Sequence, residues 1–128
     1  MNELHRSGED YLETILLLEQ KNDGHVHAVN IANELGFSKP SVSKGLSLLK
    51  EQNCVLIDDN LHIRLTTKGR KIAERVYERH RTLRSFLTNI LGVSEKTAEN
   101  DACMMEHNIS EETFQKLREF VSNQEQRK

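Results

Sequence analysis

Cys103, Glu106 and His107 follow one another at i, i+3 and i+4, the spacing that puts three side chains on one face of a helix. A thiolate, a carboxylate and an imidazole are all donors to divalent transition metals. The same spacing also fits a small core thiol beside two solvated polar residues, and by itself it does not separate the two readings. One helix cannot surround an ion, so a metal site would need donors from elsewhere in the chain. Met104 and Met105 read as core filler rather than ligands, given the harder donors beside them. Asp10 and Glu13 share a face at i, i+3 and, taken alone, read as an acid suited to a helix N-terminus plus a solvated glutamate. His80 falls in an apolar helical stripe, where a lone histidine is more often a satisfied core group than a ligand. His25 and His27, two apart outside a helix with no carboxylate or thiol nearby in sequence, read as surface residues.

The elements that must position these groups can be read in order. Residues 7–20 predict a helix with Ser7 as N-cap, Glu9 and Asp10 in its first turn, and Tyr11, Leu12, Ile15, Leu16 and Leu18 inward. After the turn Asn22-Asp23-Gly24, residues 28–35 form a short helix with Val29, Ile31, Ala32 and Leu35 available to the core, ended by Gly36. Ser38 caps a helix over 39–52 with Pro40 in its first turn and Val42, Leu46, Leu48 and Leu49 buried, and Asn53 terminates it. Two β-prone segments, 54–57 and 61–65, flank Asp58-Asp59-Asn60 as a hairpin, with Cys54 as a packing residue. Helix, short helix, turn, helix and hairpin is the order of a winged helix-turn-helix.

Beyond it, the spacing predicts a long helix over 67–91, with Ile72, Val76, Leu83, Leu87 and Ile90 apolar. A helix capped by Ser94 carries the 103–107 cluster and packs through Ala98, Ala102, Met105 and Ile109. A last helix, capped by Ser110, covers 111–121 with Phe114, Leu117, Phe120 and Val121 apolar, before a polar tail.

The 128 residues, 36% hydrophobic and 30% charged with a single proline, describe a soluble, mainly helical chain of one domain or one small domain with an appendage. Nothing near Met1 resembles a signal peptide, and no apolar run approaches the roughly 20 residues of a membrane span, so a cytoplasmic protein with Cys54 and Cys103 reduced is expected. The net charge of −2 means that nucleic-acid binding must rest on local basic surface. Two such surfaces stand out. Lys39, Ser41, Ser43, Lys44 and Ser47 share one helix with no acid until Glu51, and Arg64, Lys68, Arg70 and Lys71 follow the hairpin. Both fall where a winged helix meets the phosphates of DNA. No nucleophile or general base stands apart from the possible ligands, which argues against an enzyme. A regulator that senses thiol oxidation through Cys103 or Cys54, or binds a small molecule, is the alternative to a metal-dependent one.

Over nearly its whole length the sequence resembles the diphtheria-toxin-repressor family of metal-dependent transcriptional regulators, in particular its short branch. The likeness is carried by Glu9-Asp10-Tyr11-Leu12-Glu13, Ile31-Ala32, Ser38-Lys39-Pro40-Ser41-Val42-Ser43, Leu65-Thr66-Thr67-Lys68-Gly69, His80, and Ala102-Cys103 with Glu106-His107. The resemblance implies a winged helix-turn-helix DNA-binding domain over 1–71 and a helical dimerisation and metal-binding domain over 72–128, without the additional SH3-like domain of longer members. It implies a homodimer on double-stranded operator DNA, with Asp10, Glu13, His80, Cys103, Glu106 and His107 as ligands of a divalent metal. It aligns Ser38, Pro40 and Ser43 with the family's recognition segment, beside Lys39, Ser41 and Lys44, with Arg64 and Lys68 on the DNA backbone. Two departures are visible: Cys103 stands where manganese-responsive members have a bridging glutamate, and Arg84 stands where an acid commonly follows His80 by one turn, leaving Glu99 a weak part in a second site. Carboxylates favour a hard ion and Cys103 a softer one, which ranks Mn²⁺ first, Fe²⁺ second and Zn²⁺ third.

Overall fold

The computed structural model describes residues 6–126, and it is mainly helical with one two-stranded antiparallel sheet. The chain divides between Arg75 and Val76 into two compact units.

In the first unit, helix α1 (Arg6–Lys21) lies at the centre, with Tyr11, Leu12, Glu13, Thr14, Ile15 and Leu16 all buried in succession. A run buried on every side is what a helix shows when it is enclosed by its neighbours; here α1 packs against α2 (Ala28–Leu35), α3 (Lys39–Glu51) and strand β2 (Ile63–Leu65). Ser7 lies inside α1, which starts one residue earlier, so it is not the N-cap. Asp23 and Gly24, both with positive φ, turn the chain towards α2. His27 caps α2, its backbone N–H donating to Asn30 Oδ1 at 2.8 Å, and Gly36 ends it at φ 72°. Ser38 caps α3 by accepting from the Ser41 N–H at 3.3 Å.

Val42, Leu46 and Leu49 bury one side of α3, whereas Leu48 is half-exposed. At about 100° per residue Leu48 points roughly 120° away from that side, and Val29 lies likewise opposite Ile31 on α2 and is exposed. Both were expected in the core; neither is.

The hairpin pairs β1 (Val55–Ile57) with β2 in the register Val55↔Leu65, Leu56↔Arg64 and Ile57↔Ile63. Its base is clamped. Thr66 N–H donates to the Cys54 carbonyl at 3.0 Å and Thr66 Oγ1 donates to the Asn53 carbonyl at 2.6 Å. Gly69 N–H donates to Thr66 Oγ1 at 3.0 Å, and a β-carbon on Gly69 would stand 2.0 Å from the Cys54 carbonyl oxygen.

Helix α4 (Thr67–Ser85) is followed by a π-helical turn over Phe86–Ile90, in which the Leu91 N–H reaches the Phe86 carbonyl. The expected continuous α-helix to residue 91 therefore changes its winding in the last turn. In the second unit α5 (Glu95–Met105) is capped by Ser94 and buries Ala98 and Ala102 completely. α6 (Glu111–Gln126) runs five residues past the expected end, burying Phe114 and Val121. Phe120, about 120° from Phe114 around the helix, is nearly half-exposed, with its ring edge-on to Phe86 at 6.4 Å between centroids.

Candidate metal centre and nucleic-acid interface

His80, Cys103 and Glu106 converge in the second unit, with one donor atom of each within 4.8 Å of the others. Two turns of structure bring this about. Ala98 and Ala102, having almost no side chain, let α5 approach closely and aim its next turn inward, and Glu106 at its C-terminal cap is 2% exposed. Arg79, the neighbour of His80 on α4, donates to the carbonyls of Glu106 at 3.2 Å and Ile109 at 3.1 Å, pairs with Glu111 at 2.7 Å, and lies over the Phe114 ring. It thereby fixes the chain reversal that presents Glu106 and His107. Sequence reading missed Arg79; its adjacency to His80 was the only signal.

Both nitrogens of His80 face carboxylates: Nδ1 lies 2.9 Å from Glu106 Oε2 and Nε2 lies 2.9 Å from Glu99 Oε1. A ring flanked this way is held as an imidazolium. Hydrogen bonding to Cys103 and to Glu106, with the charges of Glu106 and Glu99, outweighs burial and pushes its pKa up to about 11. Burial pushes the Glu106 carboxyl up, but His107 and His80 more than offset this and leave it below the usual range. Glu99 thus contacts His80 directly, a larger part than its sequence position suggested, and its other oxygen lies 3.4 Å from Arg84 Nη1.

His107 Nε2 is 3.2 Å from Glu106 Oε1, close enough to oppose its charge, and among the described residues none meets this buried oxygen in good hydrogen-bond geometry. An ionised carboxylate oxygen left so, beside a thiol and an imidazole, fits a cation better than it fits a closed polar network. Cys103 is exposed, which removes the reading of it as a small core residue. Asp10, half-buried, and Glu13, 9% exposed, lie in the first unit on α1. Between them in sequence, Tyr11 reaches α3: its hydroxyl donates to the Ser41 carbonyl at 3.4 Å, and Gly45 leaves the space its ring fills.

On α3, Lys39, Pro40, Ser41, Ser43, Lys44 and Ser47 are exposed, and the Ser38 and Ser41 hydroxyls bond one another at 2.9 Å. The second basic cluster is less free than its sequence implies. Arg64 Nε lies 3.4 Å from Asp58, Arg70 pairs with Glu19 at 2.9 Å, and Lys68 Nζ donates to the Gln52 carbonyl at 2.9 Å, closing the end of α3.

Comparison with known proteins places these features. Residues 3–63 match the model of the iron-dependent repressor N-terminal DNA-binding domain, and residues 66–127 match that of the iron-dependent repressor metal-binding and dimerisation domain. An uncharacterized HTH-type transcriptional regulator of Methanocaldococcus jannaschii is 32% identical over 92% of this chain and 94% of its own length. The transcriptional regulator MntR of Escherichia coli O6:H1 is 37% identical over 94% of this chain and 78% of its own. The solved structure of the manganese regulator SloR superposes with a TM-score of 0.80 at 30% identity, over 90% of this chain and 53% of that one, so the chain spans about half of that longer regulator. The matched domains cover both units, and the chain belongs to the iron-dependent repressor family, the diphtheria-toxin-repressor family of metal-dependent transcriptional regulators that its sequence resembles.

Proposed function

We propose that this chain is a homodimeric repressor of metal-uptake genes, activated by a divalent ion held by His80, Cys103, Glu106 and His107 together with Asp10 and Glu13. The observation that carries this reading is the convergence of donor atoms from His80, Cys103 and Glu106 within 4.8 Å, with a buried Glu106 oxygen that no described residue meets in good hydrogen-bond geometry and His107 beside it. A bound ion supplies positive charge and a fixed ligand geometry. The chain's own groups do the rest. Bringing Asp10, Glu13, Glu106 and a Cys103 thiolate to one point concentrates negative charge, and once His80 gives up its proton to act as a ligand a bound cation must balance it, so the closed assembly is favoured by metal. Three carboxylates make the set hard enough to rank Mn²⁺ first, with Fe²⁺ second and Zn²⁺ third on account of the one thiol.

Asp10 and Glu13 engage α1, and Tyr11 passes any constraint on α1 to the recognition helix α3 through the Ser41 carbonyl and Gly45. Lys39 and Lys44, with Ser38, Pro40, Ser41 and Ser43, face the groove, while Arg64 and Lys68 meet the DNA backbone. Leu91, Met104 and Phe120 leave apolar surface on the second unit, which a twofold partner would cover. Two recognition helices then read half-sites about 34 Å apart or a multiple of that. A stable monomer in sedimentation at micromolar concentration would refute the dimer.

A coupling of about 1–3 kcal/mol between metal and DNA corresponds to a change of roughly 5- to 150-fold in operator affinity. Operator binding is measured with and without Mn²⁺ or Fe²⁺ for the parent, Asp10→Ala and His107→Ala, with folding and dimerisation checked separately. The expected result is loss of the metal-dependent gain in both variants. Folded variants that gain as much as the parent would refute the proposed ligand set.

A further inference from the structure

The segment before α2 and the β1–β2 hairpin, the wing, bring together a second cluster of side chains of kinds that can bind metal ions. In the extended stretch His25-Val26-His27, alternate residues point to opposite sides. Val26 is fully buried, which turns both histidines outward on one side. The Val26 carbonyl accepts the Ile63 N–H at 2.8 Å, so this stretch lies alongside β2 and its neighbour His62 falls between the two histidines. The ring centroids of His25 and His62 are 5.0 Å apart, and those of His27 and His62 are 4.5 Å apart. The carboxylate that the sequence seemed to lack nearby is Asp58, brought up by the wing turn. Its Oδ1 accepts the backbone N–H of Asn60 at 2.9 Å and of His62 at 3.0 Å, and its Oδ2 lies 3.5 Å from His62 Nδ1.

That last contact has chemical content. Asp58 Oδ2, which Arg64 Nε also approaches at 3.4 Å, stands on the Nδ1 side of the His62 ring, and drawn into hydrogen-bond distance it would orient that ring with Nε2 as the electron-pair donor, as carboxylates orient histidine ligands in protein metal sites. We infer that His25, His27 and His62, the last oriented by Asp58, form a second metal site at the base of the wing, suited to a divalent ion that prefers imidazole, with Zn²⁺ as its ligand. Three neutral nitrogens with a fourth position for water or carboxylate match tetrahedral zinc and suit Mn²⁺ poorly, in contrast to the carboxylate-rich set around Glu106. Among the described residues the donor atoms of this trio converge less closely than those of His80, Cys103 and Glu106. Binding therefore draws the rings inward, which is open to them because His25 is exposed and His27 only half-buried.

The test is Zn²⁺ titration of the full chain against a competing chelator dye, for the parent, His62→Ala, His25→Ala/His27→Ala and Asp58→Asn, with imidazole NMR signals followed in the parent. Asp58→Asn keeps an acceptor for the turn and removes the charge. Circular dichroism and urea midpoints identify any variant that loses its fold; the His25→Ala single variant, at an exposed position, then serves instead. The expected outcome is one equivalent of Zn²⁺ per chain lost from both histidine variants, an affinity for that equivalent about 10- to 100-fold weaker in Asp58→Asn, and Zn²⁺-dependent shifts of the three rings. Mn²⁺ binding should be the same in the parent and the His25→Ala/His27→Ala variant, which separates this site from the one proposed to switch DNA binding. Unchanged Zn²⁺ stoichiometry and affinity in all the variants would overturn the site. So would an equal loss of Mn²⁺ binding in the double variant, because the histidines would then be acting on the other centre.

Discussion

Gly45→Ala tests how α3 is seated. In an ordinary exposed helix interior the change gains about 1 kcal/mol, because alanine lowers the entropy cost of the helical backbone. Here the added β-carbon would stand 2.0 Å from Tyr11 Cε2, 2.7 Å from Cζ and 2.9 Å from the hydroxyl. Contact needs more than 3 Å, so the ring or the helix must move by more than 1 Å. The ring has little room: Tyr11 is 6% exposed and meets Phe37 edge-on at 6.0 Å between centroids. Overpacking of this kind costs about 1–3 kcal/mol, and a rigid buried ring belongs at the upper end. The net expectation is a loss of about 2 kcal/mol, read as a lower urea midpoint with unchanged slope. Tyr11→Ala removes the obstacle, so in that background Gly45→Ala should recover its ordinary gain of about 1 kcal/mol, a coupling of about 3 kcal/mol across the cycle. If Gly45→Ala stabilises both backgrounds equally, Tyr11 does not hold α3 in the way described.

Metal binding should release protons. His80 begins as an imidazolium with its pKa near 11, so at pH 7 a ligating His80 gives up about one proton, and apparent metal affinity should rise as much as tenfold per pH unit between pH 7 and 9. Calorimetry in buffers of different ionisation enthalpy that gives identical heats would contradict this. The sign for the metal-free protein is the reverse: the folded pKa exceeds the unfolded value near 6.5, so the contribution of His80 to stability is complete below about pH 6.5 and is lost as pH rises towards 11. Lys44→Ala should weaken specific operator binding, whereas Lys68→Ala should weaken binding to all sequences and reduce the salt slope by about 1. Because Lys68 also closes α3 on the Gln52 carbonyl, its loss should lower stability by about 1 kcal/mol; an unchanged salt slope with that loss would leave it only the structural role.

Local signals were legible in sequence where one residue settles the matter. Gly36, Ser38 and Asn53 mark helix ends through backbone conformation or a single hydrogen bond, and all three stand where they were expected. Burial was legible only to the extent that helix phase is known. Val29, Leu48 and Phe120 are apolar yet lie off the inward arc of helices whose orientation the packing decides. The end of α6 was set too early because residues 122–126, though polar, contain no glycine or proline to stop a helix. At the candidate metal centre, the helical spacing identified Cys103, Glu106 and His107 as a possible set, but Glu99 meets His80 through the pairing of α4 with α5. The cluster of His25, His27 and His62 stayed hidden for the same reason: His62 is 35 residues from His27 and comes beside it where the Ile63 N–H meets the Val26 carbonyl.

The clamp at the base of the wing makes the tip a replaceable part. Thr66 and the missing side chain of Gly69 tie both ends of the hairpin to the carbonyls of Asn53 and Cys54, so the helices on either side depend on the strands, whose Val55, Ile63 and Leu65 are buried, and not on the residues at the tip. Lengthening the connection costs only the entropy of a larger loop, about 0.6 kcal/mol for each doubling. Asp59 and Asn60, exposed between the strands, are therefore a place where the chain can accept extra residues, by natural insertion or as a graft carrying a fluorophore or a different DNA-reading sequence, without the helices being redesigned.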